Sequence, residues 1–214
     1  MPRPADYSGN GFVNLIASLV EARGGAPRHA PLVALAAAEI RNATNIVLLI
    51  VDGLGDNYLR AHGAGGPLLK HRRAGISAVF PSTTASAITT SYTGATPLEH
   101  GLTGWYTYFS APACVAAALP FQRRGEKALL EVRPDSIYLE RSLFDSLATR
   151  SIVVSYRPII DSQYNRHHCG GAERRAYDNI QGLVDETVNA VKSGADRKFV
   201  YSYWPRFDVL AHKH

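Results

Sequence analysis

A continuous apolar run rich in β-branched residues, Asn45 to Val51 (NIVLLIV), reads as a strand buried on both faces, as in a parallel sheet. Upstream, Phe12, Leu15, Ile16, Leu19 and Val20 recur at helical spacing after Ser8-Gly9-Asn10, and Gly24-Gly25 ends that helix. Pro31 to Ile40 is Ala-rich and reads as a second helix. The apolar run ends in Asp52-Gly53-Leu54-Gly55, with a short helix from about Asp56. Gly75 to Phe80 reads as the next strand. It feeds Phe80 to Gly101 (FPSTTASAITTSYTGATPLEHG), a polar turn that opens a helix. Leu102 to Phe109 (LTGWYTYF) reads as a strand or a pocket wall. Ser110 to Leu139 has no clear period, which suggests a cap or insertion at about 110–140. Ser142 caps a short helix, Ser151 to Tyr156 is a strand, and Arg157 to Gly171 is a polar loop. Ala172 to Ser193 reads as a long amphipathic helix carrying Tyr177, Ile180, Leu183, Val184, Val188 and Val191 on one side. Lys198 to Trp204 (KFVYSYW) is a further strand. Strand and helix alternate, so the expected class is α/β, a doubly wound, mostly parallel sheet with helices on both faces, in one domain over residues 1–214.

Composition narrows this little. At 46% hydrophobic and 19% charged the chain is of ordinary globular make-up. No apolar run approaches the ~20 residues of a membrane helix. The start, MPRPADYSGNGF, lacks the basic-then-apolar order of a signal peptide. A cytoplasmic protein, or one whose leader has been removed, is expected, and a periplasmic or extracellular location stays open. The net charge of +5 comes with short basic clusters at Lys70 to Arg73, Arg123-Arg124 and Arg174-Arg175. Without interleaved aromatics they do not mark a nucleic-acid groove, though a weakly basic surface favours an anionic substrate. Cys114 and Cys169 form no C-x-x-C pair and are read as a disulfide or as two free thiols. No pattern specifies an oligomer.

The candidate chemistry lies after the strands. Ser82, Thr83 and Thr84 sit where free backbone N–H groups and the positive end of a helix dipole converge, a place for a phosphate or for a nucleophilic hydroxyl. An ordinary N-cap role for Ser82 or Thr83 explains the same residues equally well. Asp52 ends the first central strand, where open α/β sheets place ligands, and a turn role is the alternative. Gly53 and Gly55 fall short of a full G-x-G-x-x-G loop. Asp208 and His212, four apart, can share a helical face and one metal ion, although a surface pair explains them alone. Three polar sites at one sheet edge shift the balance, and their donors suit zinc or manganese. Arg166, His167, His168 and Cys169 are consecutive, so they do not converge on one ion and read as a loop touching substrate or solvent.

The conjunction of V-D-G-L-G, F-P-S-T-T-A-S with T-G-x-x-P-x-x-H-G, and D-x-x-x-H resembles the type I phosphodiesterase/nucleotide pyrophosphatase family of the alkaline phosphatase superfamily. The resemblance covers about residues 45–214. It implies a small phosphate-ester or nucleotide substrate and a site for two divalent metal ions, zinc by preference. Counted from the T-G-x-x-P-x-x-H-G tail, the nucleophile position falls on Thr84, with Thr83 as the nearest competitor. Asp52 and Thr84 match ligands of one ion, and Asp208 and His212 match ligands of the other. The implied reaction is in-line attack on phosphorus through a phosphothreonine. The family pattern has further ligands, an S-D-H-G Asp-His pair and a later His, beyond His214, so the chain is expected to be the N-terminal part of a longer domain and incomplete alone. Many members carry Asn at Trp105, so Trp105 and Tyr106 are expected to bind substrate differently here, with Tyr108 and Phe109 as an aromatic wall. A phosphomonoesterase, a phosphonate hydrolase or a non-catalytic nucleotide- or anion-binding domain are the alternatives. A sulfatase C-x-P-x-R motif and a G-x-S-x-G elbow are both absent from the sequence.

Overall fold

The computed structural model describes residues 4–213; Met1 to Arg3, part of the segment read above for a leader, and His214 lie outside it. In chain order the elements are α1 (Phe12–Ala22), α2 (Ala37–Ile40), β1 (Asn45–Val51), α3 (Asp56–His62), α4 (Pro67–Lys70), α5 (Thr84–Thr93) and α6 (Pro97–His100). Then come β2 (Tyr106–Phe109), β3 (Cys114–Ala117), β4 (Gln122–Arg123), β5 (Arg150–Tyr156), α7 (Arg157–Ile160), α8 (Gln163–His168) and β6 (Glu173–Tyr177). The chain closes with α9 (Ile180–Lys192), β7 (Lys198–Trp204) and α10 (Arg206–Ala211).

Four strands form a parallel sheet in the order β1-β7-β5-β6. Along β7 the pleat sends Phe199, Tyr201 and Tyr203 to one face and Val200 and Ser202 to the other. The first face packs on α1, α5 and α8 around Ile16, Leu19, Ile88, Tyr92 and Tyr164. The second joins Ile152, Val154 and Val200 to Leu183 and Ala190 of α9. This is the expected α/β fold with helices on both faces. Each fully buried aliphatic or aromatic side chain contributes about 1.5–3 kcal/mol relative to exposure.

Several local expectations are corrected. β1 is not buried on both faces: it is the sheet edge, α9 lies over β5, β6 and β7, and Val47 and Leu49 are left 43% and 50% exposed. Gly75 to Phe80 is not a strand. Its only ladder contact is an isolated bridge from Ser77 to Gly11, so it lacks a partner strand. Of Pro31 to Ile40 only Ala37–Ile40 is helical. The polar loop Arg157 to Gly171 holds α7 and α8, and His168 and Cys169 on it are buried rather than facing solvent. Ala172 to Ser193 is two elements, because Glu173–Tyr177 pairs in parallel with β5 before Asn179 caps α9. A separate antiparallel sheet joins β2 to two short strands, β3 and β4, at the start of the stretch without periodicity. Cys114 and Cys169 are both free and buried.

Candidate active site

β1 and β7 are parallel neighbours with Val51 opposite Trp204, so the segments that follow them leave the sheet side by side. Asp52 N–H still donates to Trp204 O at 3.0 Å. The chain then turns at Gly53 with φ +78°. A Cβ there would lie 3.0 Å from both Cα and Cβ of Asp208 and 3.2 Å from its Oδ1. Only glycine accepts both the left-handed backbone and this approach. The Asp52 turn therefore packs directly on the first turn of α10. Tyr58 of α3 supports the same helix through an edge-on contact with Phe207, ring centroids 5.2 Å apart.

The third component is the start of α5. Thr83 is its N-cap: its hydroxyl accepts from Ser86 N at 3.3 Å and bonds Ser86 Oγ at 3.0 Å. Thr84 is the first helical residue, and its side chain lies close enough to the Asp52 carboxylate to help hold down its pKa. Of the neighbouring threonines, Thr83 therefore takes the cap and Thr84 does not. Ser82 stands on the same wall. Asp52, Ser82, Thr83, Thr84 and Asp208 all line one open cleft of about 970 Å³.

The T-G-x-x-P-x-x-H-G tail holds α5 rather than touching the cleft. Gly94 and Gly101 end α5 and α6 in left-handed conformations (φ +71° and +75°). Pro97 starts α6, and Glu99 bonds back to the N–H and hydroxyl of Thr96. His100 Nδ1 accepts from Leu102 N at 3.1 Å, which places the proton on Nε2, 3.3 Å from Thr90 Oγ1. Burial drives this imidazole down to a pKa of about 4, so it ties α6 to α5 as a neutral ring. Along α5 itself, Thr89 and Ser91 satisfy their buried hydroxyls on the backbone and on Tyr164 and Tyr201.

Electrostatically the cleft is acidic at its centre. Burial raises the Asp52 carboxyl above the ordinary range and the nearby Asp208 charge adds to this; hydrogen bonds from Tyr203, the Gly53 N–H and Thr84 pull it back. Tyr203 Oη donates to Asp52 Oδ2 at 2.7 Å. The sequence reading missed Tyr203. Alternation along β7 gave its face, but not that its hydroxyl reaches the end of β1. Arg72 and Arg73 also line the cleft, each spent on a carboxylate, Arg72 on Asp56 and Arg73 on Glu39.

The remaining candidates stand apart. His212 Nε2 is 3.6 Å from Asp208 Oδ2, on a side chain 81% exposed, and does not line the cleft. Trp105 and Tyr106 lie at the start of β2, half-exposed, with Arg124 5.2 Å above the Tyr106 ring, and are not part of the cleft wall either. His168 is packed against Tyr164 and Tyr138, with Nδ1 on Tyr164 O.

Among the described residues no three His, Cys, Asp or Glu side chains converge into a metal cage. The donor set nonetheless fits a cation in part: two half-buried carboxylates line one cleft, with the Thr84 hydroxyl on the same wall and an imidazole near Asp208. Searches of curated proteins and of solved structures returned no match. The profile of the type I phosphodiesterase / nucleotide pyrophosphatase family matches residues 46–214. Its members are metal-dependent hydrolases in general, of the alkaline phosphatase superfamily. A match over most of the chain, spanning Asp52, Thr84 and Asp208, places this protein in the type I phosphodiesterase / nucleotide pyrophosphatase family.

Proposed function

We propose that the protein is a metal-dependent phosphodiesterase or nucleotide pyrophosphatase that works through a phosphothreonine on Thr84. The observation that carries this is the position of Thr84 at the first turn of α5, beside Asp52 and on the wall of a cleft that also holds Asp208. Thr83 cannot serve as well, because its oxygen is engaged as the N-cap.

Asp52 and Thr84 would hold one divalent cation, and Asp208 with His212 a second; zinc suits this mixture of oxygen and nitrogen donors. Bound there, such cations lower the pKa of a hydroxyl and neutralise phosphate charge. The chain's own residues do the rest. The Asp52 carboxylate beside Thr84 gives the Oγ1 proton a way out. The oxygen attacks phosphorus, the new Thr84 O–P bond forms, and the bond to the leaving alcohol or phosphate breaks in line. Unpaired N–H groups in the first turn of α5 donate to the equatorial oxygens. Water then cleaves the Thr84 O–P bond and restores the hydroxyl, and the displaced group leaves with a proton from solvent. Tyr203 holds Asp52 Oδ2, which leaves the other carboxylate oxygen for the cleft.

Replacing Thr84 with alanine should lower turnover of a nitrophenyl phosphodiester by roughly three orders of magnitude or more. Zinc binding, read by chelator competition, should fall far less. Turnover within a few-fold of the parent would remove Thr84 from this role. Loss of folding by circular dichroism would be answered with Thr84→Ser, which keeps a hydroxyl and should retain measurable turnover.

A further inference from the structure

The other end of the same sheet has an electrostatic problem of opposite sign. Where β5 and β7 begin and α1 ends, an open pocket of about 580 Å³ is lined by Arg23, Arg41, Arg150 and Arg197. Only two carboxylates share that wall, Glu21 and Asp196, four cations against two anions. Glu21 is taken by Arg41 at 3.0 Å. Asp196 is divided between Arg150 at 4.0 Å and Lys198 at 3.5 Å, and Lys198 is fully buried. Arg150 turns its other nitrogen to Glu173, which Arg175 shares. Among the described residues this leaves Arg23 and Arg197 with no carboxylate.

Arg23 is the more demanding of the two. It is 1% exposed, so its charge has been removed from water almost completely. Nε donates to Lys198 O at 3.2 Å and Nη2 to Ala43 O at 2.9 Å. Nη1 is buried without any partner. The Thr149 hydroxyl, on the wall of the same pocket, is a second buried group with no partner. The charge nearest Arg23 is repulsive: burial, and after it Arg197, press the guanidinium towards losing its proton. The carbonyls at the end of α1 offer no compensation, because those of Leu19, Val20 and Glu21 are used by the N–H groups of Arg23, Gly24 and Gly25. A buried cation facing a like charge and an unused donor is costly as it stands.

We propose that this pocket binds a small dianionic oxyanion of the phosphate class. The ligand sits between the Arg23 and Arg197 guanidinium groups and takes hydrogen bonds from Arg23 Nη1 and the Thr149 hydroxyl. Its negative charge offsets the excess of cations at this edge. A guanidinium presents paired N–H donors at the spacing of two oxygens on one phosphorus or carbon. Seven-residue strands at about 3.3 Å per residue put this pocket roughly 20 Å from Asp52. It is therefore separate from the substrate cleft and does not depend on the hydrolase reading. Binding there would join the end of α1 to the starts of β5 and β7 and stabilise the folded state by mass action.

The test uses the Thr84→Ala protein in excess chelator, so that neither turnover nor a metal-held phosphate at the other edge contributes. Inorganic phosphate is titrated at constant ionic strength, with the melting temperature and ³¹P line width recorded. A saturable rise in melting temperature is expected. Adding Arg197→Ala should weaken the apparent phosphate affinity roughly tenfold or more, while Arg174→Ala should not. Arg197 is chosen because an Arg23 variant could fail to fold. Two results would overturn the proposal: no response beyond that of chloride, or a response undiminished by Arg197→Ala. Acetate as effective as phosphate would overturn the phosphate class.

Discussion

The C-terminal and N-terminal edges of the parallel sheet make an instructive pair. At the first, Asp52 and Asp208 are brought together by a glycine turn, and the carboxylate that is most buried holds its proton more firmly than usual. At the second, Arg23 and Arg197 face each other without a carboxylate, and the buried guanidinium keeps a donor unused. Both edges gather like charges that ordinary stability would separate. Parallel strands make such gathering easy, because consecutive strand ends emerge side by side whatever their separation in sequence. The lesson is that uncompensated charge at a strand edge is a reason to look for a partner of opposite sign, and both proposals above start from it.

The strongest way to break the acidic edge is Gly53→Ala. The new Cβ would meet Asp208 at 3.0 Å in a left-handed backbone. We expect a loss of about 1–3 kcal/mol of stability, together with weakened divalent-cation binding, both readable by urea unfolding and metal titration. Metal affinity equal to the parent's would show that the close approach of the two turns is irrelevant to the site. Next in size is Tyr203→Phe. The lost bond favours ionised Asp52, so its pKa should rise further and the acid limb of the pH–rate profile should move to higher pH. An unmoved limb would separate Tyr203 from Asp52 function.

Asp52→Asn sharpens the comparison in the other direction. The folded pKa of Asp52 lies above its unfolded value of 3.8. Its proton is therefore bound more tightly when folded; the associated stability is complete below pH 3.8 and lost as pH rises through the folded pKa. In chelator at neutral pH the Asn variant should melt above the parent, with the difference shrinking as both are acidified through the carboxylate range. A lower melting point for the variant would mean that the two carboxylates are not in conflict. The smallest effect is expected for Thr83→Ala, about 1 kcal/mol of stability from the lost cap, with turnover largely kept. Turnover falling as far as in Thr84→Ala would reverse the division of labour between the two threonines.

Much of this was readable in the chain before its structure. β1 and β7 match their apolar runs residue for residue, and α5 begins at Thr84, because a β-branched apolar run and a capped helix each leave a local signature, although β1 turned out to be the sheet edge. β6 was hidden because Glu173, Arg174 and Arg175 serve the edge of the sheet, where charge is tolerated, and its helix-like apolar spacing continued into α9. Gly75 to Phe80 looked like a strand because propensity carries no information about a partner. Asp52, Thr84 and Asp208 were visible as motifs, but Tyr203 was not, since its role depends on two strands meeting. Arg23 was invisible for the same reason: a lone Arg at a helix end gives no sign that three segments will close over it.

The way α5 is buried carries over to the reading of mutational data. Its hydroxyls serve the interior: Thr89, Thr90, Ser91 and Thr93 are committed to the backbone, to tyrosines and to His100. A saturation library would show unbroken intolerance from Thr84 to Thr93, a footprint easily mistaken for a ten-residue catalytic segment. Thr84, Ala87 and Ile88 line the cleft, and of these three only Thr84 carries a polar side chain. Residues that serve the interior register through abundance, so a screen that scores protein level and turnover separately would test whether Thr84 stands apart from the rest of the helix.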